Sequence, residues 1–177
     1  MQMIKPRTVA TGIALAWIAL GAAPALADPA KDVQVAARAL GFLESAPHGA
    51  VVLGIVYDPS KPATVAERDA LMAALGSGLA AGDMTITGKP IEASAIGAAS
   101  GLAALYVTSG SPYAEVGAAA SGKKLLTISS DKACAQSGAC VMSVVTSPSV
   151  EITVNHAAAT AVGASFKAAF RMMIKEI

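Results

Sequence analysis

The stretch AVVLGIVYDPSKPATVAERDALMAALGSGLAAGDMTITGKPI, residues 50–91, carries the periodicities that decide the fold. Its first part, AVVLGIVYD, is a continuous apolar run rich in β-branched residues, bounded by Pro47-His48-Gly49 and Asp58-Pro59. Such a run predicts a strand covered on both faces. Thr64 and Glu67 have the spacing of a capping box, which predicts a helix over VAERDALMAALGSGLAAG, residues 65–82, with Leu71, Leu75 and Leu79 along one side. DMTITGKPI, residues 83–91, reads as a second strand. Strand, helix and strand in succession make a parallel crossover.

Outward from this unit the alternation continues. Asp28-Pro29 has the form of an N-cap with proline at the first helical position, and AKDVQVAARALGFLES follows with Val33, Ala36, Ala37, Leu40 and Leu43 at helical spacing. On the other side, ASAIGAASGLAALYV reads as a short helix, a turn and a buried strand; its two glycines and two serines break any membrane span. Ser111-Pro112 predicts a cap for the helix PYAEVGAAASG, KKLLTIS a fourth strand, and Asp131 the start of another helix. Two β-rich runs joined by Ser147-Pro148-Ser149 follow, with Val150, Ile152 and Val154 alternating against Glu151, Thr153 and Asn155. That pattern is an antiparallel hairpin with one wetter face. Asn155 then caps HAAATAVGASFKAAFRMMIKEI, read as one long helix whose Val162, Phe166, Phe170 and Met173 form a stripe that packs into the core.

The predicted fold is a single three-layer α/β domain, residues 28–177. It has a mainly parallel sheet flanked by helices, a C-terminal antiparallel hairpin and a long closing helix. Aromatic residues make up 4% of the chain against 54% hydrophobic in all, so the core is built from small aliphatic side chains that let helices and sheet approach closely.

The first 27 residues have Lys5 and Arg7, an apolar run from Val9 to Ala23, and Ala25-Leu26-Ala27, the parts of a secretory signal peptide cleaved after Ala27. Asp28 and not a cysteine stands directly after that site, and no twin arginine precedes it, so the expected product is an exported protein without a lipid anchor or membrane insertion, in the periplasm. The formal charge of +1 becomes −1 when Lys5 and Arg7 leave with the leader. No basic surface remains for nucleic acid.

Cys134 and Cys140 are the only cysteines. In an oxidising compartment near neighbours pair, and a clip across so short a loop would restrict the unfolded chain by about 2 kcal/mol. Its effect would be local, on the turn AQSG and the following strand. Zinc held by these two thiols with His48 and His156 is the competing reading, though the thiol spacing is wider than in structural zinc pairs and no second close pair exists. A C-x-x-C redox motif is absent from the sequence.

No set of residues spells out catalysis. GAASG at 97–101 has no central serine, Ser121 to Lys124 matches S-x-x-K at the wrong end of a helix, and GSGLAAG at 76–82 closes a helix instead of opening one. His48 and His156 are isolated. The candidate ligand site is the crevice beyond the strand carboxyl ends, which carry Tyr57 and Asp58, then Thr108, Ser109, Gly110 and Ser111, then Ser129, Ser130 and Asp131. Hydroxyls and free N–H groups there would suit a small carboxylate or phosphate. The plainer reading is that Ser111, Ser129 or Ser130, and Asp131 only cap their helices.

From Lys123 onward, GKKLLTISSD, a small loop, VMSVV, a turn, VEITVN and a helix opening at the Asn occur in an order that resembles the YfiR-like family of bacterial periplasmic proteins. The likeness is close over about a third of the chain and one of layout elsewhere. ESAPHG stands where members often have Trp-Pro, and the second cysteine pair of better-known members is missing, while Cys134 and Cys140 fall where the family's late, short-range pair would be. The resemblance implies a non-catalytic regulator without a cofactor. It would dock on the periplasmic domain of an inner-membrane signalling protein, restraining a diguanylate cyclase and hence cyclic di-GMP synthesis. The alternative expectation is a small-anion carrier or sensor accessory. A homodimer is left open.

Overall fold

The computed structural model describes residues 28–177; the predicted leader and its cleavage site lie outside the described residues. Helix α1 (Pro29–Leu40) leads to β1 (Gly49–Tyr57), α2 (Pro62–Leu75), β2 (Leu79–Ala81) and β3 (Met84–Glu92). A 3-10 turn (Ala93–Ala98), β4 (Ala104–Val107), α3 (Tyr113–Gly122), β5 (Leu126–Ser129) and α4 (Lys132–Gln136) follow. The chain closes with β6 (Met142–Val145), β7 (Glu151–Val154), α5 (His156–Val162), α6 (Ala168–Arg171) and β8 (Lys175–Glu176). The eight strands of the described residues form one sheet in the order β2-β3-β1-β4-β5-β6-β7-β8. The five strands from β3 to β6 are parallel, and β2 and β7 run antiparallel to their inner neighbours. The α/β class and the mainly parallel sheet are therefore as expected from the alternation of elements.

Strand alternation divides the core between two faces. Leu53, Ile55, Ala104, Tyr106, Ile128 and Met142 pack under α1 and α2, while Val56, Leu105 and Val107 meet the 3-10 turn, α3 and the disulfide of α4. The second face is tightly closed. A Cβ at Gly54 in β1 would stand 2.7 Å from Leu105 Cδ2 and 2.8 Å from Ile91 Cδ1. No helix among the described residues is long and apolar enough to cross a membrane.

Five local expectations need correction. Helix α2 opens at Pro62 with Lys61 as N-cap, three residues before the predicted start, because proline at the first helical position sets the entry. Thr64 is thus inside the first turn and forms no capping box with Glu67. The same helix ends at Leu75, where Gly76 and Gly78 both take positive φ. Leu79 therefore sits in β2, which hairpins onto β3. Helix α1 stops at Leu40, and Leu43 makes a bridge with Phe166. Ser111 does not cap α3, since Pro112 occupies the N-cap position and the Ser111 hydroxyl bonds Thr108.

The long closing helix is the largest miss. Gly163, at φ 75°, ends α5 after seven residues, and the remaining chain makes a turn, the short α6 and β8, which pairs in parallel with β7. Glycine adopts that left-handed conformation at no steric cost, so its amide caps the carbonyls of Ala159 and Thr160 and the helix stops. The predicted stripe is split accordingly. Phe170 is buried at 2% exposure, Val162 and Phe166 are half-buried, and Met173 is 64% exposed and lies outside the core.

Candidate functional site

The chain runs from β1 outward to β3 and then returns to β4 on the other side of β1. At such a reversal the helices on either side diverge and leave a crevice beyond the strand ends. Helix α2 brings Thr64, Glu67 and Leu71 onto one face; Leu71 enters the core, and Glu67 reaches the loops after β4 and β5.

Glu67 is the hub. Its Oε2 accepts the Ser109 backbone N–H at 2.8 Å, its Oε1 accepts the Ser130 hydroxyl at 3.0 Å, and the Ser109 hydroxyl lies 3.5 Å from Oε1. The two serine hydroxyls are 3.1 Å apart. Beside them the Tyr113 hydroxyl accepts from Gly110 N–H at 2.8 Å and donates to Asp131 Oδ2 at 2.5 Å, while Lys61 Nζ donates to the Gly110 carbonyl at 2.7 Å. Burial and the Asp131 carboxylate hold the Tyr113 phenol well above the ordinary tyrosine range. Asp131 also caps α4 through Ala133 N–H at 2.9 Å.

The other predicted site residues are less central. Ser129 is fully buried, donates to the Val107 carbonyl at 2.8 Å and accepts from Asp131 N–H at 3.1 Å. Thr108 and Ser111 bond each other at 2.9 Å. Asp58 closes its own turn by accepting from Ser60 N–H and Oγ, and those donors keep its carboxyl below the usual range. Tyr57 stands apart, its ring covered by the Arg68 guanidinium at 4.3 Å. Ser109, Ser130 and Asp131 therefore converge in one network, Asp58 borders it through Lys61, and Ser111, Ser129 and Tyr57 serve their own loops.

Sequence reasoning missed Glu67, Lys61, Tyr113 and Tyr106. The signal for Glu67 was its place one turn before buried Leu71 on the sheet-facing stripe of α2, which the capping-box reading obscured. Tyr106 is fully buried, and its hydroxyl has no hydrogen-bond partner among the described residues. Burial raises its ionisation far above the ordinary value, as do the nearby Asp32 and Glu67 carboxylates, whereas Ser130 opposes them.

Asp32, at 2% exposure, accepts from Thr146 Oγ1 at 2.6 Å, and burial still raises its carboxyl above 3.8. Such a carboxyl keeps its proton in the folded chain after the unfolded chain has lost it. Its contribution is present in full below 3.8 and is lost as pH rises through the elevated folded value. Asp32→Asn keeps an acceptor for Thr146 and removes the charge. Urea unfolding should show the variant gaining on the wild type between pH 3.5 and pH 7, and a pH-independent difference would contradict this.

Cys134 and Cys140 form a disulfide, as expected, with Cα atoms 5.1 Å apart and both residues fully buried. Among the described residues no group of three or more His, Cys, Asp or Glu side chains is placed to hold a metal ion. His48 and His156 are exposed.

Two surface grooves lie away from the Glu67 network. One of about 280 Å³ opens at the amino ends of β4 and β5, between Lys124, Leu126 and Gly163. Another, about 200 Å³, is apolar and runs between α1 and the C-terminal segment, lined by Val35, Phe42, Val150, Ile152, Phe170 and Met173. Of its lining residues, Val150 and Met173 are 54% and 64% exposed; Met172, 88% exposed, lines a different groove with Ala168, Arg171 and Ile174.

No protein-family model matches the sequence, and no curated protein matches it significantly. Solved structures do resemble the fold. A conserved domain protein from Vibrio cholerae superposes with a TM-score of 0.59 at 11% identity over 85% of this chain and 60% of its own. The ABC domain in complex with L-Trp from Streptococcus pneumoniae gives 0.58 at 11% identity over 84% of this chain and 60% of its own. The ligand-free, open structure of a substrate binding protein with adhesive properties from Clostridium difficile gives 0.54 at 14% identity over 72% of this chain and 54% of its own. The chain thus spans between half and two thirds of the length of these structures, and what it has in common with them is the α/β fold.

Proposed function

We propose that this chain is an exported binding protein that acts by docking on a protein partner. The partner, by the resemblance to the YfiR-like family, is the periplasmic domain of an inner-membrane diguanylate cyclase. One observation carries the reading. The polar groups at the strand ends are largely paired with one another, whereas the apolar side chains Val150 and Met173 are left uncovered on the lining of an apolar groove. Flexible methionines adapt to a partner surface, and an apolar patch bordered by polar residues is a usual mark of such docking. Partner binding would restrain the cyclase by favouring one of its conformations.

The test is complementation. In cells lacking the protein, cyclic di-GMP should rise and be restored by the wild type and by Ser109→Ala. Val150→Glu with Met173→Glu should fold but fail to restore it. Equal rescue by the double variant would remove the docking face.

A small-ligand role is the second reading. It is favoured by the reversal of strand order at β1, where ligands of open α/β sheets bind, and by a structural relative solved with L-Trp.

A further inference from the structure

Glu67 is a half-buried carboxylate with no cationic partner among the described residues; its partners there are neutral donors from two different loops. A carboxylate taken partly out of water needs such donors. The fully buried Tyr106 hydroxyl, beside Ser130, has no hydrogen-bond partner among the described residues. A buried hydroxyl without a partner has lost its water and gained nothing in exchange, so its persistence needs a reason. Of the flanking carboxylates, Asp131 accepts from Tyr113 and Ala133, and Asp32 from Thr146.

We propose that Ser109 N–H and the hydroxyls of Ser109 and Ser130 form a carboxylate-binding cradle that Glu67 occupies as an internal ligand, and that the Tyr106 hydroxyl, which Glu67 does not engage, is free for an external one. A small molecule bearing a carboxylate enters by exchanging with the Glu67 side chain, which swings toward solvent. An intramolecular occupant competes at an effective concentration on the order of millimolar or more, so a simple external carboxylate binds the wild type weakly. The inference deepens the small-ligand reading and is independent of docking.

Glu67→Ala removes the atoms of one acetate ion and leaves the cradle open. With sodium acetate as the probe and sodium chloride at matched ionic strength as control, the variant should be stabilised saturably, with an affinity at least tenfold above that of the wild type. Adding Ser130→Ala or Tyr106→Phe should weaken that affinity at least fivefold. Should Glu67→Ala not fold, Glu67→Gln, which turns one acceptor into a donor facing the cradle, should show the same order with a smaller gap. No acetate response beyond chloride, an equal response in the wild type, or indifference to the second substitutions would overturn the cradle. Ligand binding elsewhere in the crevice is read separately, as stabilisation of the wild type by free amino acids that survives Ser130→Ala.

Discussion

Replacing Phe170 with alanine is expected to cost about 3–5 kcal/mol of folding stability and to free the C-terminal segment from the sheet. All three phenylalanines of the chain meet at this point: Phe170 stacks on Phe42 with ring centroids 4.9 Å apart and tilts against Phe166 at 5.3 Å. Phe42 follows α1, Phe166 bridges to Leu43, and Phe170 sits in a four-residue helix too short to hold itself. The aromatic trio therefore fastens the last 14 residues, and β8 with them. Chemical denaturation would show the loss, and amide exchange should rise first in residues 164–177. A cost below 1 kcal/mol would mean that the segment is held by its backbone pairing instead.

The disulfide comes next. Changing Cys134 and Cys140 together to alanine should lower stability by about 2 kcal/mol, the loop-closure value for so short a ring, because both sulfurs are buried and alanine leaves no polar group behind. The consequence should be local. Asn155 Nδ2 donates to the Ala135 carbonyl at 2.9 Å while its Oδ1 caps α5 through Ala158 N–H at 2.8 Å, so loosening α4 loosens the start of α5. Exchange should rise around residues 132–142 and 155–159 and stay unchanged in β1 and β3. Reduction of the wild type should reproduce the pattern, and an unaltered melting curve in the double variant would contradict it.

Much of the architecture was legible because the pattern was long. The runs at 50–58 and 101–109 are apolar on both faces, which only a covered parallel strand needs, and they fixed the sheet. The cap residues Asp28, Asp131 and Asn155 each accept the backbone bond expected of them. Where the reading failed, a local signal outweighed a periodic one. Val162, Phe166 and Phe170 keep helical spacing, yet Gly163 between them ends the helix, and the aromatic rings meet through tertiary packing. Thr64 and Glu67 keep capping spacing, yet Pro62 starts the helix earlier and frees Glu67 for the strand ends. The candidate site was half legible. Strand-end serines follow from fold class, but a carboxylate arriving from the neighbouring helix depends on the pitch and placement of α2, which spacing alone does not give.

Photo-crosslinking in intact cells puts the docking proposal to its most direct trial. A photoreactive residue at Met173 should yield a covalent adduct with an inner-membrane protein carrying a cyclase domain, and the same residue at exposed Ser60, beside the strand ends, should yield none. An adduct from Ser60 and none from Met173 would contradict the account.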